Sequence, residues 1–282
     1  VENVADADIV LINTCAFITP AKEEALENIF QMCLLKSKGK LEKVLVSGCL
    51  SQRHKAELQK EIPEVDAFLT AKDNDNICTI IENLYNIKGK EHKSKLGRIF
   101  TSRGSYAYLK IAEGCSNVCS YCTIPRIKGR YLSYPIQDIV DEAKYLASKG
   151  IKELVVVAQD TTRYGEDLYK KNCLVELLKK LAKIDGIEWI RLHYAYPEKT
   201  TDELLDFIEK EPKMCKYLDI PLQHIDDRIL QSMRRHLGEQ QTRELVERLK
   251  TKYSNIALRT TFIVGYPTES RENFKKLCDF VK

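Results

Sequence analysis

The chain has 282 residues, of which 44% are hydrophobic and 30% are charged, and its formal net charge is +4. This balance is typical of a globular protein that buries a sizeable core. No run of about 18 apolar residues occurs, so we expect no transmembrane helix, and so small a positive charge does not by itself indicate a nucleic-acid partner.

The ten cysteines bear on the expected cellular compartment. In a short secreted chain they would suggest a disulfide framework, but this chain is long, rich in Lys and Glu, and begins with VENVADADIV, which is no signal peptide. We therefore expect a cytoplasmic protein whose thiols serve metal binding or catalysis. The start also lacks Met, so we interpret Val1 as an internal point of a longer protein.

The first predicted domain covers residues 1–86 and alternates apolar runs with amphipathic ones. Strands are predicted at 8–15, 43–49 and 67–71, and helices at 20–38, after the second strand to about 60, and at 74–85. Alternation of this kind indicates a parallel sheet covered by helices.

A basic stretch at 87–104 is the predicted linker, and residues 105–282 form the second predicted domain. Its strands are predicted at 106–112, 153–160, 189–197, 217–224 and 258–267, each followed by an amphipathic helix. Five such units resemble most of a β/α barrel. The sequence ends inside the fifth helix, so we expect at least one further strand beyond it.

Three cysteines, Cys115, Cys119 and Cys122, lie just past the first predicted barrel strand, at the end of a strand where barrel active sites form. A four-iron, four-sulfur (4Fe–4S) cluster held by three thiolates keeps one iron open for an exogenous ligand. Structural zinc usually takes four protein ligands. The spacing therefore favours a cluster with an open iron, with structural zinc and three structural cysteines as alternatives.

The C-x3-C-x-aromatic-C pattern, with Tyr121 at the aromatic position, resembles the signature of the radical S-adenosylmethionine (SAM) superfamily. The resemblance implies that the amino and carboxylate groups of SAM ligate the open iron. It also implies that Cys115, Cys119 and Cys122 are the catalytic cluster ligands and that Tyr121 contacts the cofactor.

The stretches INTCAFITPAKEEA and VSGCLSQR resemble the N-terminal domain of the methylthiotransferases, a flavodoxin-like sheet that holds a second 4Fe–4S cluster on three cysteines. Cys15 and Cys49 match the second and third of these, and each ends a predicted strand, where ligands gather in open α/β sheets. The first family cysteine has no counterpart in this sequence, so the resemblance implies a cluster site that lacks one ligand.

Several predicted strand ends bear on which of two methylthiotransferase branches the chain resembles. One branch modifies an adenosine of tRNA and the other an aspartate of ribosomal protein uS12. The segments that resemble the uS12 branch, known as RimO, are VVAQDTTRYGEDLY, RLHYAYP, YLDIPLQH and LRTTFIVGYP. The GQN-, TSHP- and QSGS-like turns usual in the tRNA branch do not occur. A departure is PTES at 267–270, where the family commonly has PGET.

Further SAM contacts are expected where other strands begin or end. Gln159 and Asp160 end the second barrel strand, and Gln223 ends the fourth. We expect each of them to bind polar groups of SAM, with capping of the strand end as the alternative. Arg259 is a candidate partner for a carboxylate, with an ordinary ion pair as the alternative. Gly265 would let the backbone approach adenine closely.

The fold expected from these features is α/β, a flavodoxin-like parallel sheet followed by a partial β/α radical-SAM barrel, truncated at both ends. The resemblance implies that one SAM methylates sulfur held at the N-terminal cluster. A second SAM is cleaved by one electron at the other cluster, and the 5′-deoxyadenosyl radical abstracts hydrogen from the aspartate β-carbon that receives the methylthio group.

The implied partners are uS12 or the small ribosomal subunit and a one-electron reductant, with no membrane. A tRNA adenosine methylthiotransferase is the closest alternative function. An iron–sulfur module that binds the ribosome without catalysis is the non-enzymatic alternative.

Overall fold

The computed structural model describes residues 4–70, 73, 76–87 and 104–282. The chain divides into two compact units, one made of Val1–Ser94 with Arg126–Lys128 and the other of Lys95–Pro125 with Gly129–Lys282. The predicted linker lies, except for its first and last residues, outside the described residues, so the predicted domain boundaries stay a prediction. Among the described helices, none has both the length and the apolar character needed to cross a lipid bilayer.

The first unit is a parallel sheet with a helix after each strand, as predicted. Its elements in chain order are β1 Ile9–Thr14, α1 Thr19–Ser37, β2 Lys43–Gly48, α2 Cys49–Glu61, β3 Ala67–Phe68 and α3 Ile77–Tyr85. Strand β2 lies between β1 and β3, and both neighbours run parallel to it.

The local sequence explains these elements. The run VLVS in β2 is buried at all four residues, as expected for a central parallel strand covered on both faces. Helix α1 begins with Pro20 in its first turn, where a missing N–H breaks no helical hydrogen bond. The helix buries Ala25 and Ile29, which share a core with Val44 and Phe68 of the sheet.

The second unit is built on parallel strands and a short antiparallel pair. Its strands are β4 Tyr106–Lys110, β5 Ala112–Glu113, β6 Leu132–Ser133, β7 Glu153–Val157, β8 Trp189–Leu192, β9 Tyr217–Asp219 and β10 Ala257–Arg259. Strands β4, β7 and β8 form one parallel sheet, β9 and β10 a parallel pair, and β5 and β6 the antiparallel pair.

Helices follow the parallel strands and cover one face of them. They are α5 Ile136–Ser148, α6 Glu166–Tyr169, α7 Leu174–Ala182, α8 Asp202–Lys210, α9 Asp227–Ser232, α10 Glu239–Lys252 and α11 Arg271–Val281. The short helix α4, Ile124–Lys128, lies between β5 and β6 in the chain, and its last three residues are assigned to the first unit. The apolar stripes of α5 and α7 bury Leu146 and Leu178 in the same core as Leu154 of β7. The apolar side of each of these amphipathic helices therefore faces the sheet, as predicted.

Strands β8 and β9 lie side by side although they belong to different sheets. The Cys215 N–H donates to the Ile190 carbonyl at 2.9 Å, and the Ala195 N–H donates to the Asp219 carbonyl at 2.9 Å. The described strands thus continue from β4 to β10 without closing on themselves. The architecture is α/β with an open, partial β/α barrel.

The barrel strands are shorter than the apolar runs from which they were predicted. Strand β8 ends at Leu192 and β9 at Asp219, several residues before the predicted ends. Tyr194 and Gln223, beyond these ends, adopt φ values of 58° and 73°, in the left-handed region that an extended strand does not allow. The apolar residues after each strand therefore form loops at the carboxyl edge of the sheet.

Candidate active site

The three clustered cysteines lie on a loop that is closed at its base by the β5–β6 pair. The Cys115 N–H donates to the Gly129 carbonyl at 3.1 Å, which brings the two ends of the loop together. Gly114 makes this possible, since its φ is +75° and a Cβ there would lie 2.8 Å from the Gly129 carbonyl oxygen and closer still to that of Arg130.

The tip of the loop is fixed to the turn after α9. The Ser120 N–H donates to the Met233 carbonyl at 3.1 Å, and its hydroxyl donates to the Ser232 carbonyl at 2.8 Å. Within the loop, the Cys122 N–H donates to the Cys119 carbonyl at 3.1 Å. The loop is thus held at both its base and its tip, which orients the cysteines before any ligand binds.

Cys115, Cys119 and Cys122 line a single cavity of about 360 Å³ at the carboxyl edge of the barrel strands. A cavity of this size falls within the usual range for small-molecule sites. Three other residues singled out in the sequence, Tyr121, Gln159 and Gln223, line the same cavity. The fold therefore gathers residues that are far apart in sequence around the cysteine loop.

Gln159 offers the cavity an unused hydrogen-bond acceptor. Its amide nitrogen donates to a carboxylate oxygen of Glu113 at 3.3 Å. Its carbonyl oxygen is buried and has no hydrogen-bond partner among the described residues. Since an unsatisfied buried acceptor is costly, this oxygen fits a ligand that supplies a donor, such as the polar groups of SAM.

The sulfur atoms receive different hydrogen-bond donors. Cys115 is only 8% exposed, burial raises the pKa of its thiol, and the Asn117 N–H donates to its Sγ at 3.4 Å. The Tyr196 hydroxyl lies 3.2 Å from the Sγ of Cys119. Burial raises the pKa of Tyr196, so the phenol stays protonated and able to donate.

Asp160 supports the cysteine loop and does not line the cavity. Its carboxylate is buried and accepts from the Asn117 side-chain amide at 3.0 Å, from the Thr162 N–H at 3.1 Å and from the Thr162 hydroxyl at 2.7 Å. Burial raises the pKa of Asp160, although these hydrogen bonds act in the opposite direction. The contacts tie the end of β7 to the loop residue whose N–H faces Cys115.

Arg259 and Gly265 are not among the residues that line this cavity. The Arg259 guanidinium pairs with the carboxylate of Asp219 at 2.7 Å, the alternative that the sequence left open. Gly265 is exposed and has a φ of +71°, with open space where a Cβ would lie. Their roles as SAM contacts stay predictions.

The structure adds cavity residues that the sequence did not single out. Tyr194 and Tyr196 belong to the RLHYAYP segment, whose aromatic residues just past β8 were the available signal. Asn117 stands between two of the cysteines, and Arg235 follows α9. Nothing in the local sequence around Arg235 distinguishes it from a surface arginine, yet it is only 6% exposed.

In the first unit, Cys15 and Cys49 directly follow two neighbouring strands. Thr14 of β1 pairs in register with Gly48 of β2, so both strands end at the same level and the two cysteines lie at the same sheet edge. Cys15 is exposed, and its Sγ accepts from the Phe17 N–H at 3.5 Å. Their role as ligands of a second cluster stays a prediction.

Within the described parts of the chain, no three His, Cys, Asp or Glu side chains converge closely enough to hold a single metal ion. A cubane cluster sets a different requirement, because each of its thiolate ligands binds a different iron atom. The three thiols around the cavity and the orphaned Gln159 oxygen fit such a cluster together with SAM.

Comparisons with known proteins cover both units. Residues 109–281 match the Radical SAM superfamily, and residues 1–70 match a family described as Uncharacterized protein family UPF0004. These matches coincide with the segment that carries the three clustered cysteines and with the segment that carries Cys15 and Cys49.

Curated relatives resemble almost the whole chain. Ribosomal protein uS12 methylthiotransferase RimO of Aquifex aeolicus is 48% identical over 280 residues, which cover 99% of this chain and 62% of the relative. The protein of the same name from Caldicellulosiruptor saccharolyticus is 46% identical over 290 residues, which cover 99% of this chain and 66% of the relative. The chain thus spans less than two thirds of the length of these relatives.

Solved structures share the fold at low sequence identity. The radical SAM methyltransferase TsrM from Kitasatospora setae gives a TM-score of 0.73 at 15% identity, covering 97% of this chain and 60% of that protein. The cobalamin-dependent SAM radical enzyme OxsB gives a TM-score of 0.67 at 12% identity, covering 97% of this chain and 43% of that protein. At such identities the likeness is one of fold.

Proposed function

This chain belongs to the radical SAM superfamily, and we propose that it is part of a methylthiotransferase that modifies an aspartate of ribosomal protein uS12. The reaction would place a methylthio group on the β-carbon of that aspartate. The proposal is supported by relatives named as uS12 methylthiotransferases, at 46–48% identity over 98–99% of the chain. It needs the small ribosomal subunit or uS12 as substrate and a one-electron reductant.

The observation that carries the proposal is the cavity lined by three cysteine thiols. Cys115, Cys119 and Cys122 would hold a 4Fe–4S cluster and leave one iron open for SAM. When bound, the cluster and SAM supply a 5′-deoxyadenosyl radical by one-electron cleavage of SAM. Gln159 would accept a hydrogen bond from a polar group of SAM through its free carbonyl oxygen.

The chain's own residues contribute orientation and exclusion of water. The anchored loop fixes the thiols, and the aromatic side chains of Tyr121, Tyr194 and Tyr196 line the cavity beside them. Burial raises the pKa of Tyr121, so its phenol stays neutral beside the cysteines. An apolar, preorganised wall suits a radical reaction, because it orients the reacting atoms and limits side reactions with solvent.

A second cluster on the first unit is the finer part of the proposal. Cys15 and Cys49, which follow paired strands at one sheet edge, would supply two of its ligands. This cluster would hold the sulfur that becomes the methylthio group. A chain whose three cavity cysteines are replaced by serine should still bind iron after reconstitution. This remaining iron should be lost when Cys15 and Cys49 are replaced as well.

The experiment is to measure 5′-deoxyadenosine after anaerobic reconstitution and reduction, with uS12 and tRNA offered in separate reactions. We expect cleavage of SAM by the native chain and a methylthio mass increase on uS12. Cys119→Ser should abolish cleavage. Cys78→Ser, which replaces an exposed cysteine of α3, is the matched control and should cleave SAM like the native chain.

Each alternative function predicts another result. Transfer to tRNA and not to uS12 would show the tRNA branch to be correct. A chain that binds iron but never cleaves SAM would be a binding module, and the proposal would then be wrong. No contact in the described residues favours either alternative over the uS12 reaction.

A further inference from the structure

Arg235 is a buried cation beside a proposed cluster ligand. It is only 6% exposed, one guanidinium nitrogen donates to the Pro221 carbonyl at 3.0 Å, and another lies 3.9 Å from the Sγ of Cys119. In the part of the chain that the structure describes, its contacts include no ion pair with a carboxylate. A buried guanidinium is costly without a negative partner. The Glu198 carboxylate acts on this cation from beyond ion-pair distance, and the Cys119 sulfur is the ligand atom that the guanidinium faces.

Tyr196 connects the same cation to the same sulfur. The Arg235 guanidinium lies over the Tyr196 ring, with its carbon 4.0 Å from the ring centroid. The Tyr196 hydroxyl lies 3.2 Å from the Sγ of Cys119, and its backbone N–H donates to the Thr162 hydroxyl at 3.1 Å. The ring is therefore fixed at its backbone and stacked on its face, with its only polar side-chain atom on Cys119.

The three cysteines are not equivalent in this respect. The hydrogen bond to Cys115 comes from a backbone N–H of the loop itself, which no side-chain substitution removes. Besides Tyr121 of the motif itself, the donors around Cys119 are side chains from distant segments, after β8 and after α9. Side-chain chemistry outside the cysteine motif thus acts on one particular thiolate.

We propose that Tyr196 and Arg235 are positioning residues that raise the reduction potential of the cluster through Cys119. The inference rests on the proposed function, since it requires a cluster at the three cysteines. One-electron reduction makes a cluster more negative, and a hydrogen-bond donor and a buried positive charge at a ligand sulfur stabilise the reduced form. The pair would thereby help the cluster accept the electron that SAM cleavage consumes.

The test is a redox titration of the reconstituted cluster, followed by electron paramagnetic resonance without substrate. All variants are made in a chain with Cys15→Ser and Cys49→Ser, so that one cluster gives the signal. Tyr196→Phe removes only the hydroxyl, Arg235→Gln removes the charge, and Arg235→Lys restores the charge without the planar stack. Tyr106→Phe and Arg234→Gln, at exposed residues that do not line the cavity, are the matched controls.

We expect Tyr196→Phe to lower the equilibrium constant for reduction about tenfold, the usual size of a hydrogen bond to a charged group. For a one-electron couple, tenfold corresponds to a potential about 59 mV more negative. Arg235→Gln should shift the potential further in the same direction, and Arg235→Lys should recover part of that shift. The control variants should keep the native potential.

The outcomes separate this inference from the proposed function. A native chain that binds about four irons, with Tyr196→Phe and Arg235→Gln titrating at the native potential, would overturn the inference and leave the function standing. Variants that only lose iron, without a shift of potential, would show a merely structural role. A native chain that binds no cluster would overturn both. If Arg235→Gln does not fold, the nearly isosteric Tyr196→Phe decides.

Discussion

Gly114 precedes the first clustered cysteine, and its replacement by alanine should open the base of the cysteine loop. With a φ of +75°, any side chain there costs about 1–2 kcal/mol in backbone strain. The new Cβ would also lie 2.8 Å from the Gly129 carbonyl oxygen and closer to that of Arg130. Both neighbours are backbone atoms, so relief requires movement of the chain, which typically costs a further 1–3 kcal/mol, as overpacking does.

The matched control is Gly150→Ala at the end of α5. Gly150 has a φ of +85°, and nothing lies within 4 Å of the position where its Cβ would be. It therefore carries the backbone strain without the collision. We expect Gly114→Ala to lower the free energy of unfolding by about 3 kcal/mol and Gly150→Ala by about 1 kcal/mol.

The assay is urea unfolding followed by fluorescence of Trp189, the single tryptophan, which lies in β8 of the second unit. A change of midpoint at constant slope reports the change in stability. Gly114→Ala should also bind less iron on reconstitution, because the Cys115 N–H donates to the Gly129 carbonyl that the new Cβ displaces. Equal destabilisation by the two substitutions, with native iron content in both, would refute the reasoning.

Two further predictions concern other contacts of the second unit. Burial raises the pKa of Asp160 above about 3.9, its value in an unfolded chain, so the folded state holds the extra proton between these two pKa values. We therefore compare the free energy of unfolding of the native chain with that of Asp160→Asn. The difference in favour of the native chain should fall as the pH rises from about 4 through the raised pKa. A rise over that pH range would contradict a raised pKa for Asp160. The Ser270 hydroxyl accepts from the Asn273 N–H at 3.3 Å and caps α11, so Ser270→Ala should cost about 1 kcal/mol in urea unfolding monitored by circular dichroism. Ser254→Ala, at an exposed residue after α10, should leave the midpoint unchanged, and equal effects of the two would argue against the cap.

Much of the fold was accessible from local sequence. The alternation of apolar runs and amphipathic stretches predicted the strand–helix order of both units, and the structure confirms it. Strand ends were predicted less well, because Tyr194 and Gln223 lie in apolar segments but adopt backbone angles that no extended strand allows. Periodicity reports which residues are apolar, but it does not report where the backbone turns.

The sequence by itself determined the cysteine spacing, the aromatic residue beside it and the family to which they belong, because all of these are encoded within a few consecutive residues. Only the tertiary structure brought Arg235 and Tyr196 to Cys119, and only it paired Arg259 with Asp219. These contacts join segments tens of residues apart. Which side chains meet across such separations depends on how the strands and helices pack, and a single sequence does not record that packing locally.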